Sequence, residues 1–270
     1  MKLVKLSLKN IEKLGYPCML RRSIWMKNQK KYRSQSICFL NENLTKVKSI
    51  AAVEGEAVIG FVLYGPLRLS TIPLRCNVED ITTIYCIWIK TSQRKKGVGR
   101  ALIQKLKEEM KNESGILSLT TNKTFIMPFK PFEKMGFQLI HDSDFWKIGF
   151  YPVKKERVEV SFYSPELEWD HVKPFTFVER GDCPFISFRL DKLKKYLLKF
   201  KDHLPIDEIA YEEAIKKDES VIPGFYLFGH FVPFEKIMSW SFTRFLKKTI
   251  KDENRKTFGA TSVSSYEVEK

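Results

Sequence analysis

The stretch Arg94-Lys95-Lys96-Gly97-Val98-Gly99-Arg100 has the residue types that hold a phosphate group. Two glycines two residues apart let the backbone approach an anion closely, because no Cβ intervenes. Lys95, Lys96 and Arg100 add positive charge at the same spot. Residues 100–111 follow with apolar side chains at 102, 103, 106 and 110, which is one face of a helix. The first amides of a helix have no partners within it, and the helix dipole places roughly half a positive charge at that end. A strand that runs through such a loop into such a helix is an anion site, and a pyrophosphate would suit it. The plainer reading is a basic loop that only joins a strand to a helix.

The loop needs elements to position it. Residues 81–89, Ile-Thr-Thr-Ile-Tyr-Cys-Ile-Trp-Ile, are β-branched and aromatic with no charge, which predicts a central strand covered on both faces. Residues 50–53 and 57–64 are two strands joined by the tight turn Glu54-Gly55-Glu56, and Gly65 and Pro66 stop the second. A first strand is expected at 3–9, with Asn10 capping a helix from Ile11. Residues 18–48 are helical or irregular. Residues 116–120 read as a strand. Phe132-Glu133-Lys134-Met135 ends a short helix at Gly136, a left-handed cap, and 137–140 resume as a strand.

Bulk properties set limits. With 270 residues the chain has room for two domains, and 43% hydrophobic residues give it a core to pack. The net charge of +15 favours anionic partners such as nucleic acid, phosphorylated cofactors or acidic surfaces, or else marks a lysine-rich solvated surface. No run of apolar residues is long enough to span a membrane, and the N-terminus has no signal-peptide pattern. The cysteines are Cys18, Cys38, Cys76, Cys86 and Cys183, with no CxxC pair. His141, His171, His203 and His230 are scattered. Neither a disulfide framework nor a metal site is expected, and a reduced, cytoplasmic home is the default.

The segment from Ile84 to Leu102 resembles motif A of the GNAT acyltransferases, a strand followed by Arg/Gln-x-x-Gly-x-Gly/Ala and a helix, matched by Arg94, Gly97 and Gly99. Phe132-Glu133-Lys134-Met135-Gly136-Phe137 resembles the motif that follows it, and the hairpin at 50–64 stands where the family has its preceding strands. The resemblance covers about 1–150. It implies a mixed sheet flanked by helices and an acetyl-CoA-dependent N-acetyltransferase acting on an amine acceptor, with acetyl-CoA or coenzyme A as cofactor. Backbone groups of Ile87, Trp88 and Ile89 would hold the pantetheine. The amides from Arg94, Lys95, Lys96, Gly97, Val98, Gly99 and Arg100 would hold the pyrophosphate, and Asn122 and Phe132 would border the cofactor. Two positions depart from the pattern. Phe132 replaces a Tyr that protonates the leaving thiolate, and Thr83 replaces a Glu base. Tyr85, two residues beyond Thr83 on the same face, and Glu79, acting through water, are the catalytic candidates. Against them stand a packed sheet aromatic and a solvated turn residue. Cys86 reads as a small buried hydrophobe.

Beyond Tyr151-Pro152 the pattern changes. A strand at 175–178, the turn Arg180-Gly181-Asp182-Cys183-Pro184, a helix at 186–200, a strand at 206–211 and a helix at 212–218 follow. A hairpin at 224–232 turns at Gly229, and a helix is expected over 235–250. This order is similar to a thioredoxin-like (YoaP-like) module. Cys183 stands where such folds place a Cys-x-x-Cys and Pro223 where they place a cis-proline. Ile186 takes the place of the second cysteine, so dithiol cycling lacks its resolving thiol. Cys183 is then either a reactive thiol at a helix start or a packing residue.

The expected class is α/β (α+β), with an acetyltransferase domain over 1–152, a connecting segment over 153–172, a thioredoxin-like α/β domain over 173–251 and a flexible tail over 252–270. Two rivals are a coenzyme A-binding sensor without chemistry and a basic RNA-associated protein. The support for the second is the charge and the Arg21–Arg33 cluster.

Overall fold

The computed structural model describes residues 1–19, 29–122, 127–155, 157–169, 172–200, 205–238, 242 and 244–250. The chain divides into two units. One comprises Met1–Tyr163 with Gly181–Ser187, the other Ser164–Arg180 with Phe188–Lys270.

The first unit contains β1 (Lys2–Lys5), α1 (Ile11–Leu14), α2 (Gln29–Asn43), β2 (Lys48–Glu54), β3 (Ala57–Pro66), β4 (Leu74–Cys76), β5 (Ile81–Ile89), α3 (Val98–Glu109), β6 (Gly115–Thr121), α4 (Lys130–Glu133), β7 (Gln138–Asp142), β8 (Trp146–Pro152) and β9 (Val160–Phe162). Seven strands form one sheet in the order β1-β2-β3-β5-β6-β8-β7. Only β5 and β6 pair in parallel, and α3 is the crossover that a parallel pair requires. The sheet is therefore mixed and flanked by helices, as the resemblance implied.

The predicted hairpin is β2 and β3, turning at Gly55, whose φ is +57. One face of the sheet packs on α3, whose Val98, Leu102, Ile103 and Leu106 are buried among Ile50, Val62, Ile84 and Ile116. Each such side chain contributes about 1.5–3 kcal/mol, so the helix that follows the glycine loop is firmly anchored. The other face packs on α1 and α2 through Ile11, Leu14, Ile37 and Leu40.

Several expectations need correction. The first strand ends at Lys5 instead of reaching residue 9. Asn10 does not cap α1. Its side chain instead accepts from the Ser7 amide and donates to the Lys5 carbonyl, closing a local turn. The connecting segment expected over 153–172 is divided between the units, because Val160–Phe162 pairs with Leu74–Cys76 inside the first. The return strand β8 follows the expected strand at 137–140 and pairs with both β6 and β7. Gly136 is left-handed at +87, as the helix end predicted.

The second unit contains β10 (Phe175–Glu179), β11 (Ile206–Ala210), α6 (Tyr211–Lys217), β12 (Gly224–Leu227), β13 (His230–Val232) and α7 (Phe234–Met238), together with most of α5 (Pro184–Leu197). Its sheet order is β11-β10-β12-β13. β10 and β11 are parallel, and the other neighbours are antiparallel. Phe177 and Phe225 are fully buried with ring centroids 4.9 Å apart. Lys194 joins Glu179 at 2.9 Å and Glu208 at 2.5 Å, tying α5 across β10 and β11. No peptide bond among the described residues is cis, Pro223 included. The expected tail over 252–270 lies outside the described residues.

Candidate active site

β5 and β6 start side by side and then part. Ile81–Ile84 pair with Gly115–Ser118, but β5 runs on to Ile89 with, among the described residues, only β3 paired to it. Among the described residues, the edge of Tyr85–Ile89 that faces away from β3 therefore pairs with no strand. Its backbone amides and carbonyls can accept a short extended ligand as though it were an added strand. A bulge marks the start of this edge. Leu63 lies opposite Cys86 and Tyr64 opposite Ile84, so Tyr85 is the extra residue. As a result Tyr85 and Cys86 both pack towards α1 and α2, whereas Ile84, Ile87 and Ile89 pack towards α3.

The parted end of β5 leads into the glycine loop. Arg94, Lys95, Lys96 and Gly97 are exposed, Val98 is buried and anchors the helix, and Arg100 points back to solvent. Gly97 precedes α3 with φ +81, and no side chain caps the helix there. A Cβ built on Gly97 would meet nothing within 4 Å, and one on Gly99 would come no nearer than 3.9 Å to Ile89. Space for an anion therefore exists at the helix start, where the first amides point outward. Lys95 is also left-handed, at φ +64, a conformation that costs a non-glycine residue of order 1–3 kcal/mol. Gly60 sets the depth of the loop. A Cβ there would lie 2.9 Å from Ile89 Cδ1 and 3.0 Å from Val98 Cγ1, so its absence lets the loop close onto β3. Gly60 was not singled out in the sequence, although a glycine inside a strand pattern signals such a close approach.

The other candidates are spread out. Ile87, Trp88 and Ile89 are half-buried on the free edge. The Tyr85 hydroxyl donates to the Pro66 carbonyl across Gly65, where a Cβ would stand 2.8 Å from that hydroxyl. Glu79 is exposed and precedes β5. Thr83 is 0% exposed, and its hydroxyl has no hydrogen-bond partner among the described residues. Phe132 is 2% exposed and packs edge-on against Phe137 at 5.3 Å, so it supports the loop from within the core. The Asn122 side chain donates to the Ser143 carbonyl at 2.9 Å and the Asp144 carbonyl at 3.3 Å, which braces the turn before β8.

At Cys183 the surroundings favour the neutral thiol. Burial pushes it up to about 11 with the Asp182 charge adding, although the Phe185 and Ile186 amides donate to it and pull the other way. Of the Arg21–Arg33 cluster, 21–28 lie outside the described residues. Arg33 donates to the carbonyls of Gly15 and Glu12 and so belongs to the unit's own packing. Among the described residues no group of three His, Cys, Asp or Glu could hold a metal ion, and no helix is long and apolar enough to cross a membrane.

Solved structures similar to this chain include an aminoglycoside 6'-acetyltransferase type Ii, at 16% identity and TM-score 0.43, covering 58% of this chain and 100% of that one. The ribosomal-protein-S18-alanine N-acetyltransferase from Escherichia coli is 14% identical with TM-score 0.39, covering 58% of this chain and 96% of that one. A GNAT family acetyltransferase from Brucella melitensis in complex with acetyl-CoA is 13% identical with TM-score 0.37, covering 60% and 95%. No curated protein matches the chain. The model of the acetyltransferase (GNAT) family matches residues 9–137 and supports a GNAT acetyltransferase domain in the first unit.

Proposed function

We propose that the first unit is an acetyl-CoA-dependent N-acetyltransferase that passes the acetyl group to an amine by direct attack. The observation that carries this reading is the parting of β5 from β6 at Ile84 and Ser118, beside the uncapped start of α3. Backbone groups of Ile87, Trp88 and Ile89 would pair with the pantetheine amides. The amides from Lys95 to Arg100 would hold the pyrophosphate, with Lys95, Lys96 and Arg100 screening its charge. Acetyl-CoA supplies an acyl group activated as a thioester. The acceptor nitrogen bonds to the carbonyl carbon as the C–S bond breaks, the amine gives up a proton and the thiolate gains one. Positioning and backbone polarisation would supply most of the rate.

Tyr85 is assigned as the proton donor and Glu79 as a base acting through water. In the structure Tyr85 donates to Pro66, so it must exchange that partner to serve the thiolate. If Tyr85→Phe and Glu79→Gln both kept full turnover, these assignments would be wrong.

One set of observations favours a second reading, in which the unit binds coenzyme A without chemistry. Phe132 and Thr83 are both buried, and neither is an acid or base of useful strength. Tight acetyl-CoA binding with no transfer to any member of an amine panel would select it. For the second unit we assign a thioredoxin-like module, supported by the strand order β11-β10-β12-β13 with one parallel pair.

The test is calorimetric titration of the full chain with acetyl-CoA beside a Gly97→Glu/Gly99→Glu variant. Binding by the wild type that is lost in the variant supports the site. No binding by folded wild type overturns it.

A further inference from the structure

Residues 181–187 pack within the first unit, although the chain on both sides of them belongs to the second. Side chains from the start of the sequence tie them down. The Tyr16 hydroxyl donates to the Asp182 carbonyl, and the Ser36 hydroxyl donates to the Gly181 carbonyl at 2.6 Å. Tyr16 is itself fixed from the other side. Arg33 donates to the Gly15 carbonyl from Nε at 3.1 Å and from Nη2 at 2.9 Å, which pins the backbone just before it. The φ of Tyr16 is +46, a conformation that a bulky residue keeps only where its surroundings enforce it. Its buried ring stands edge-on to Phe61, with centroids 6.3 Å apart. Phe61 on β3 lies directly opposite Trp88 on β5, in the stretch that has left β6. Neighbour-to-neighbour contacts thus run from the Asp182 carbonyl through Tyr16 and Phe61 to the strand that carries the free edge.

We propose that Tyr16 is a positioning residue for the acetyl-CoA edge, and that the loop 181–187, lent by the second half of the chain, holds it in place. The inference rests on the proposed acetyl-CoA site. On one face of the sheet, α3 backs the edge, with Val98 and Leu102 in the same core as Ile87 and Ile89. On the other face Tyr16 and Phe61 back it, with Trp88 packed against their cluster. The first support comes from the segment that follows β5 directly. The second is complete only when residue 182 accepts the Tyr16 hydroxyl. Tyr16 acts on the cofactor through Phe61 and the strand, and coupling of this kind passes along packed side chains. It is also reciprocal: a loop that favours the bound cofactor is itself favoured by the cofactor.

The experiment is amide hydrogen exchange with calorimetry on the full chain, wild type beside Tyr16→Phe, which keeps the ring and removes only the hydroxyl. In the wild type, acetyl-CoA should slow exchange in 181–187 as well as in 85–89. Protection of 85–89 alone would overturn the proposal, and this measurement needs no variant. In Tyr16→Phe, exchange should quicken in both segments, while the strand 224–227 of the second unit keeps its wild-type rate. Acetyl-CoA should bind the variant at least about fivefold more weakly, the low end of ordinary coupling between sites. Unchanged affinity would overturn the proposal, as would faster exchange confined to 181–187 or spread evenly over the first unit, since the hydroxyl would then serve only the loop or only general stability. If folded wild type gives no heat of binding with acetyl-CoA, the cofactor reading fails. The exchange of 85–89 in Tyr16→Phe then still decides whether the loop positions that edge.

Discussion

Two junctions in this chain run from a strand through a left-handed glycine into a helix. After β5, Gly97 at φ +81 opens α3, and a Cβ added there meets nothing within 4 Å. After β10, Gly181 at φ +76 leads to α5, and a Cβ there would lie 3.5 Å from Gln35. The Ser36 hydroxyl donates to the Gly181 carbonyl at 2.6 Å and Tyr16 to the Asp182 carbonyl. The Cys183 sulfur takes up the amides of Phe185 and Ile186. Both junctions therefore carry a left-handed glycine but differ in capacity. A helix start is a site for an outside anion only where the protein supplies no partner of its own. The first junction is open to such an anion, and the second is filled from within.

The widest gap between the junctions should show in the Gly97→Glu/Gly99→Glu variant. Two carboxylates at the open helix start oppose an anion, and binding of acetyl-CoA should fall by about a hundredfold or more, which titration calorimetry would read. Retained affinity would mean that the first junction is not the site.

The next effect tests the filled junction. A thiol held at about 11, against its ordinary 9.0, carries about a hundredfold less thiolate at neutral pH. Iodoacetamide should therefore label Cys183 far more slowly than free cysteine, with a rate that climbs as pH rises towards 11. The neutral buried thiol also contributes stability that is whole below about pH 9 and lost as pH rises through its folded value. Rapid labelling near pH 7 would show that α5 activates Cys183 after all.

A smaller pair of changes sharpens the contrast. Gly97→Ala and Gly181→Ala each force a Cβ into the left-handed region and should each cost about 1 kcal/mol of stability in chemical denaturation. Only the first should also weaken acetyl-CoA binding. Equal losses of affinity would place both helix starts, or neither, in the site.

The smallest effect concerns the exposed cations. Lys95→Ala and Lys96→Ala should each weaken binding by about 0.3–1 kcal/mol at low salt, and less as ionic strength rises. A salt-independent loss would mean that they act through the shape of the loop.

Much of the positioning frame was legible in the residues. The uncharged β-branched run at 81–89, the hairpin turning at Gly55 and the left-handed Gly136 each depend on local preference, and local preference prevailed. The short pair β4 and β9 was not legible, because three-residue strands show no period and meet only when distant segments fold together. Asn10 was misread because the rule for helix caps does not weigh a competing turn, and here the Ser7 amide and Lys5 carbonyl held its side chain. The bulge at Tyr85 depends on the register between β3 and β5, which neither strand specifies alone.

By itself, then, the sequence determined that a glycine-rich basic loop joins an apolar strand to an amphipathic helix. Strand propensity, helical periodicity and the freedom of glycine are properties of short segments. Only the tertiary structure decided that β5 parts from β6 after Ile84, leaving a free edge beside an open helix start. The same is true of the closed junction at Cys183, the phenol of Tyr85 held by Pro66, and Phe132 sealed in the core. Each of these depends on which distant backbone or side chain occupies the neighbouring space, and spacing along the chain does not encode that.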